Sequence, residues 1–277
     1  MEFRQIGIDP GRCARYGELF ATCYAGKRLT PAYLHWEYAA NPEGHAIGFD
    51  AWDGERLAAH YVCLPARAQI NGRNVRVLLS LNTATHPDYQ RLGLFTKLAE
   101  MTYSLGAGQG FDAVYGVANA NSTPGMTRKL GFQLVCQLEA RIGIGKLPAA
   151  RGDLSFARTW TDAGLRWRCE NPLNPVSYRR RLQHWEFFAD SIARFLPVYA
   201  ELASDEVDLP PCDIQSSGTL RLFLGLIPHV TDFGRFLSIP NRLRPRPLNM
   251  IYRSLSSRAP TLDPRAVSFS FLDFDAY

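Results

Sequence analysis

Asn82-Thr83-Ala84-Thr85-His86-Pro87-Asp88-Tyr89-Gln90-Arg91-Leu92-Gly93-Leu94-Phe95-Thr96-Lys97-Leu98 reads as a strand ending near Thr85, a tight turn, and the first turns of a helix. Pro87 blocks continuation of the strand. Leu92, Phe95, Leu98, Ala99 and Tyr103 then recur at helical spacing up to Gly106, Gly108 and Gly110. A strand that feeds a turn and opens a helix leaves backbone N–H groups unpaired at the positive end of the helix dipole, a ready site for a pyrophosphate. Gly93 lets a diphosphate approach the main chain because no Cβ stands in the way.

Outward from this stretch, residues 46–52, 57–70 and 74–85 read as consecutive strands joined at Asp53-Gly54 and Asn71-Gly72. Both dipeptides tolerate the positive φ of tight hairpins, which makes an antiparallel meander. Downstream, 113–118 is an apolar strand, a short helix runs from Ser122 to a left-handed cap at Gly131, and 136–144 reads as the last strand. The expected fold is α+β, a mixed, mostly antiparallel central sheet flanked by helices, over residues 1–145.

After a Gly/Pro/Ala-rich join at 143–152 the chain begins again, over 146–277. Leu34-His35-Trp36-Glu37-Tyr38 followed by Asn41-Pro42 is echoed by Leu165-Arg166-Trp167-Arg168-Cys169 followed by Asn171-Pro172. A hairpin over 186–199, strands at 220–227, 248–255 and 267–274, and a short helix at 232–237 complete a second, duplicated unit.

The 277 residues, 46% hydrophobic and 21% charged, are those of a packed globular protein. Lys plus Arg exceed Asp plus Glu by 31 − 26 = 5, a basicity that suits a small anionic ligand. Basic residues do not alternate with aromatics on one element, which argues against nucleic acid. Seven arginines (221, 235, 242, 244, 246, 253, 258) face the single acid Asp232 between 221 and 258. Cysteines 13, 23, 63, 136, 169 and 212 form no CxxC pair or Cys/His cluster, so free thiols and no metal site are expected. The N-terminus has no apolar leader and no run is long enough to span a membrane, so a cytoplasmic protein is expected. The oligomeric state is not legible.

The quoted loop resembles the Q/R-x-x-G-x-G/A loop of the GNAT superfamily of acyl-CoA N-acyltransferases, including the preceding His-Pro-Asp. Tyr115-Gly116-Val117-Ala118-Asn119-Ala120-Asn121-Ser122 and Lys129-Leu130-Gly131-Phe132 carry the resemblance further, over roughly 46–144. It implies tandem GNAT-like domains, the second degenerate, with acyl-CoA as cosubstrate. By this resemblance the pantetheine and pyrophosphate lie on Thr83, Ala84, Thr85, Gln90, Arg91, Leu92, Gly93, Leu94, Phe95, Thr96, Asn119, Asn121 and Ser122. Two positions depart from the pattern: Phe95 replaces a small residue, and Thr127 stands where many members have a Tyr that protonates the leaving thiolate. A neutral hydroxyl of high pKa is a poor acid, so that role is unassigned. Ser80 and Asn82, sharing a strand face, and His35 and His86 are the candidates for handling the amine proton.

Taken whole, the chain resembles a two-part GNAT subgroup that includes N-acyltransferases for nucleotide-linked amino sugars in polysaccharide and O-antigen pathways. Leu243-Arg244-Pro245-Arg246-Pro247-Leu248-Asn249-Met250-Ile251-Tyr252-Arg253 and Leu272-Asp273-Phe274-Asp275-Ala276-Tyr277 contribute to that likeness. The arginines are candidates for a diphosphate, Trp160, Trp167, Trp185 and Tyr252 for a stacked base, and Asp273 and Asp275 for a sugar ammonium. Other small amines, transfer from an acyl carrier protein, or non-catalytic acyl-CoA binding are the alternatives. The second half lacks the loop spacing after residue 227, so it is expected to bind no second CoA.

Overall fold

The computed structural model describes residues 1–24, 29–191, 193, 195–210, 219–240, 242 and 247–274. Strand β1 (Glu2–Gln5) pairs antiparallel with β2 (Ile47–Asp53), which pairs with β3 (Arg56–Ile70). The β2–β3 turn is centred on Gly54 and Glu55, one residue later than Asp53-Gly54, because Asp53 still pairs with Arg56. Asn71 and Gly72, at φ +46° and +77°, form the next turn and close β3 onto β4 (Arg73–Thr85). Two successive positive φ values are the type I′ pattern that follows the twist of a hairpin.

Helices α1 (Pro10–Cys23) and α2 (Pro31–Ala39) start alike: Asp9 and Thr30 accept the N–H of Arg12 and Tyr33, with Pro opening each helix. Their buried Tyr16, Phe20, Leu34 and Tyr38 join Val62, Leu64 and Leu79 on one face of the sheet. The opposite face is covered by α3 (Leu94–Gly108), whose Leu98, Ala99 and Tyr103 pack with Tyr61 and Leu78. Burying side chains of this size contributes roughly 1.5–3 kcal/mol each. β5 (Ala113–Ala118) then runs parallel to β4, followed by α4 (Thr123–Lys129), which stops where Gly131 takes φ +64°.

Residues 136–144 are not one strand. β6 (Gln133–Gln137) and β7 (Glu139–Ile144) separate at Leu138, whose N–H donates to Leu248 O at 2.8 Å. The second half supplies β8 (Phe156–Thr159), α5 (Asp162–Cys169), β9 (Ser177–Arg180), β10 (His184–Ala189) and β11 (Val198–Ala203). It continues with β12 (Leu220–Leu226), β13 (Phe236–Ser238), β14 (Asn249–Ser254) and β15 (Val267–Ser270). The expected helix at 232–237 is instead a turn leading into β13; six residues between Thr231 and Ser238 are too few to nucleate a helix without a packed face. The final strand stops at Ser270, where a Ser270–Asp273 capping box starts a 3-10 turn.

The halves are built alike and exchange a strand. β2-β3-β4 and β9-β10-β11 are antiparallel meanders, and each last strand runs parallel to the next, β4 with β5 and β11 with β12. β14 lies between β5 and β6, while β7 lies between β12 and β13, all antiparallel. β8 and β15, parallel to each other, link the two wings through β3 and β12. The result is a mixed, mostly antiparallel sheet flanked by helices.

The sequence echo falls at the junction. Trp36 of α2 and Trp167 of α5 stack with ring centroids 4.8 Å apart, and Trp167 Nε1 donates to Trp36 O at 3.3 Å. Asn41 and Asn171, both buried, each cap the turn that follows: Asn41 Oδ1 accepts the N–H of Glu43, and Asn171 Oδ1 those of Leu173 and Asn174. Among the described residues no helix is long and apolar enough to cross a membrane.

Candidate functional site

β4 and β5 pair only from Val77↔Ala113 to Ser80↔Gly116, then part. Between their free ends lies a cleft of about 630 Å³. One wall is β4: Ser80, Asn82, Thr83 and Thr85. The other is the end of β5 and the start of α4, with Asn119, Asn121, Ser122 and Met126, and the loop Gln90, Arg91, Gly93, Leu94, Phe95 and Thr96 closes one end.

The loop has the conformation that exposes N–H groups. Pro87–Tyr89 make a 3-10 turn, Arg91 and Gly93 take φ +66° and +74°, and the first helical bond is Lys97 N–H to Gly93 O at 3.1 Å. Leu94, Phe95 and Thr96 therefore precede the first carbonyl the helix can offer them. A Cβ added to Gly93 would meet no heavy atom within 4 Å: the space above it is open. No acidic residue lies in the first turn of α3. Phe95 turns its ring toward the core, edge-on to Tyr61 at 6.0 Å, so its bulk leaves the turn clear.

Of the residues singled out by sequence, Ala84 and Leu92 do not line the cleft: Ala84 is buried in the core and Leu92 is 62% exposed. Strand alternation turns Ala84 away from its neighbours Thr83 and Thr85. Asn119 is first a turn former, its Oδ1 accepting the N–H of Asn121 and Ser122 at 2.9 and 3.0 Å. Ser122 Oγ in turn accepts Asn119 N–H at 3.0 Å.

The two histidines lie elsewhere. His35 is exposed, with Nδ1 3.0 Å from Ile8 O. His86 caps the turn after β4, Nδ1 accepting Asp88 N–H at 3.2 Å and Nε2 lying 3.0 Å from the Arg56 guanidinium. Neither lines the cleft. Ser80 Oγ is held by Tyr61 OH at 2.7 Å, and Tyr61 is joined to Tyr103 at 2.5 Å. Burial pushes both phenols well above their ordinary pKa, so this network is neutral. Thr127 Oγ1 donates back to Thr123 O at 3.0 Å, tied into α4.

Several residues at the site were not singled out. Tyr24 donates to Thr83 O and Cys23 Sγ to Thr85 O at 3.4 Å, so the end of α1 forms part of the wall. Ile251 lines the cleft and Asn249 Nδ2 donates to Thr123 Oγ1 at 3.0 Å, both from the exchanged strand β14. Glu37 and Tyr38 meet the side chain of Asn82. Only the buried side of the Leu34–Tyr38 echo signalled these two.

The acceptor candidates of the second half are mostly consumed by the fold. Arg221 binds Glu186 at 3.0 Å, Arg253 forks onto Glu100 at 2.7 and 3.0 Å, and Arg258 approaches Asp112 at 3.7 Å. Trp167, Trp185 and Tyr252 are core residues, and Trp160 stacks under Arg158. Asp273 is buried in its capping box; Asp275, Arg244, Arg246 and Cys212 lie outside the described residues. Among the described residues no cluster could hold a metal, and Cys13, Cys23, Cys63 and Cys136 are unbridged.

Residues 8–135 match the acetyltransferase (GNAT) domain. A search among curated proteins found no match. Among solved structures, a probable N-acyltransferase from Enterococcus faecalis V583 is similar at TM-score 0.58 and 11% identity, over 92% of this chain and 73% of that one. Eis1 from Mycobacterium abscessus gives TM-score 0.58 and 12% identity, over 92% and 74%. A GCN5-related N-acetyltransferase from Kribbella flavida gives TM-score 0.60 and 12% identity, over 93% and 73%. At such identities these likenesses speak for the fold; the domain match speaks for the chemistry. Together they support an acyl-CoA-dependent N-acyltransferase, with acyl-CoA as its cosubstrate, built on a GNAT acetyltransferase domain at residues 8–135.

Proposed function

We propose that the cleft between β4 and β5 binds acyl-CoA and that the chain moves its acyl group onto the amine of a small-molecule acceptor. The observation that carries this reading is the open cradle over Gly93 at the start of α3, continuous with the gap between the parting strands. The N–H groups of the loop and first turn suit the pyrophosphate. Thr83, Thr85, Asn119, Asn121 and Ser122, lining the walls, suit the amide-bearing pantetheine. The thioester supplies an electrophilic carbonyl; the chain supplies positioning and exclusion of competing nucleophiles.

We take residues 1–145 as the acyl-CoA-binding domain and 146–277 as its degenerate counterpart, which forms part of the acceptor site. Beyond Phe223, β12 exchanges β11 for β15 as its neighbour, and the space between the ends of β11 and β12, lined in part by β15, is about 340 Å³ against about 630 Å³ in the first half. One acyl-CoA per chain follows.

Among acceptors, a nucleotide-linked amino sugar of a polysaccharide or O-antigen pathway is the class to test first, on the two-part likeness. The buried aromatics and paired arginines lend it no support of their own. Calorimetric titration with acetyl-CoA and longer acyl-CoAs, followed by thiol-release assays over amino sugars, nucleotide amino sugars and other primary amines, tests the reading. One bound acyl-CoA and amine-dependent thiol release are expected. No acyl-CoA binding would overturn it, and turnover confined to non-sugar amines would remove the sugar nucleotide alone.

A further inference from the structure

Asn82 stands where β4 breaks register with β3: Val62 pairs with Leu81 and His60 with Ala84, so Asn82 and Thr83 face Tyr61 alone. Such a bulge re-aims a side chain, and Asn is among the few residues that accept its φ of +43°. A carboxamide has two N–H donors at one end and an acceptor at the other. Here the nitrogen end is held twice: Nδ2 donates to the Glu37 carboxylate and, at 3.3 Å, to Tyr38 OH. Turning the amide over would set its oxygen against the carboxylate, so the hydrogen-bond chemistry fixes the orientation.

Behind Asn82 the chain of bonds continues inward. Tyr38, accepting from Asn82, gives its own proton to His60 Nε2 at 3.0 Å. His60 therefore carries its proton on Nδ1, which donates to Asp50 Oδ1 at 2.7 Å, and Tyr16 OH donates to Asp50 Oδ2 at 2.8 Å. His60 and Asp50 are fully buried and Glu37 is 2% exposed. Burial pushes the Tyr38 phenol well above its ordinary pKa, which keeps it a donor. Five polar side chains buried for one amide are a costly arrangement unless that amide's direction matters.

We propose that Asn82 Oδ1, the end left toward the cleft, receives an N–H of the attacking amine, and that Glu37, Tyr38, His60 and Asp50 are positioning residues that hold it there. The inference rests on the acyltransfer reading. In the step, the nitrogen lone pair forms the C–N bond to the thioester carbonyl and the C–S electrons leave as thiolate. The nitrogen gives up one proton and the sulfur takes one, so amide and thiol are the products. Asn82 neither gives nor takes a proton; the amine keeps the N–H that Asn82 receives while its other N–H is lost. A primary amine satisfies that requirement and a secondary amine does not, so the acceptor class is a primary amine.

Steady-state kinetics on Asn82→Ala, Tyr38→Phe and Asn82→Asp, alone and combined with Glu37→Gln, test it, with acetyl-CoA affinity measured by calorimetry on each. A misplaced nucleophile costs on the order of 100-fold, so Asn82→Ala should lose roughly that in kcat/KM for the amine, with acetyl-CoA affinity unchanged. Tyr38→Phe should lose about tenfold, the size of one hydrogen bond. Asn82→Asp faces Glu37 with a like charge and should be as poor as Asn82→Ala; adding Glu37→Gln exchanges donor and acceptor between the two positions and should recover activity. Asn82→Ala or the uncorrected Asn82→Asp working as well as wild type, or acting through acetyl-CoA affinity, overturns the proposal alone, as does a double variant with no recovery. Wild-type protein that binds acetyl-CoA yet acylates no amine overturns the acyltransfer reading beneath it, and the amine's role at Asn82 with it.

Discussion

Replacing Gly93 by Trp separates the cradle from the fold around it. Gly93 takes φ +74°, where an L side chain costs roughly 1–2 kcal/mol. Its missing Cβ faces open space, so the indole itself finds no clash in the unliganded protein. For a chain of this size each kcal/mol moves Tm by about 2–4 °C, so the unliganded variant should melt about 2–8 °C below wild type. The ligand term is different in kind. A ligand at about 100 times its Kd stabilises by roughly 2.7 kcal/mol, about 5–10 °C here. Wild type should show that shift with acetyl-CoA, and Gly93→Trp should show none, because the indole fills the pyrophosphate position. Gly72→Trp is the matched control: φ is +77°, nothing lies within 4 Å, and the site is a hairpin tip away from the cleft. It should pay the same strain and keep the full acetyl-CoA shift. A Gly93→Trp protein that still responds to acetyl-CoA would refute the assignment of the loop.

Trp167→Ala should cost about 3–5 kcal/mol by urea unfolding, and a double-mutant cycle with Trp36→Ala should give a coupling of about 0.5–1.5 kcal/mol for the stacked pair. Asp273 is pushed up to about 6 by burial, with Arg158 and the Ser270 bond opposing. Its folded value lies above the unfolded one, so its contribution is complete below about pH 4 and is lost as pH rises through 6. Asp273→Asn should therefore gain on wild type as pH rises from 4 to 7.5, by about 1–3 kcal/mol, and a constant gap in denaturant midpoint would contradict this. Burial would raise Glu186, but the Arg179 hydrogen bond and the Arg221 charge outweigh it and hold its carboxyl at about 2. That contribution is complete above about pH 4.5 and lost as pH falls toward 2, so Arg179→Ala should move the acid-unfolding midpoint upward.

The first-half meander was legible because its information is local. Asn71-Gly72 fixes a turn by φ alone, and the strands on either side pair across it, so an error of one residue at Gly54 changed nothing downstream. The loop from Gln90 to Thr96 was legible for the same reason. The strand exchange was not. An apolar run over 136–144 looks like one strand whether its two parts share a neighbour or not, and only Leu248, more than a hundred residues away, breaks it at Leu138. The site shows the same division. Ser80, Asn82 and the loop lie close together in sequence, on β4 and the turn after it, whereas Tyr24 and Ile251 reach the cleft from other elements and Glu37 meets Asn82 from α2. His86 looked promising beside the loop, yet its nearest need was a cap for Asp88 N–H, a local competition that catalytic readings of a histidine must first exclude. His60 reads as an ordinary buried strand residue until Asp50 and Tyr38 are seen on either side of it.

The exchange also shows how the second half supports the cleft of the first. β14 adds Ile251 to the cleft lining behind β5, ties down the start of α4 through Asn249, and holds α3 through the fork from Arg253 to Glu100. Both helices that open onto the cleft are thus fixed by one strand of the other half. In the second half, β7 repays the exchange by pairing with β12 and β13, but β15 occupies the edge of β12 that β11 vacates. The two halves differ at that edge by the presence of a strand, and the sheet around it is unchanged. Removing the second half would therefore not leave a simpler enzyme. It would leave β5 and β6 without the strand between them, two apolar edges open to aggregation, and a cleft that has lost Ile251 and the ties on α3 and α4.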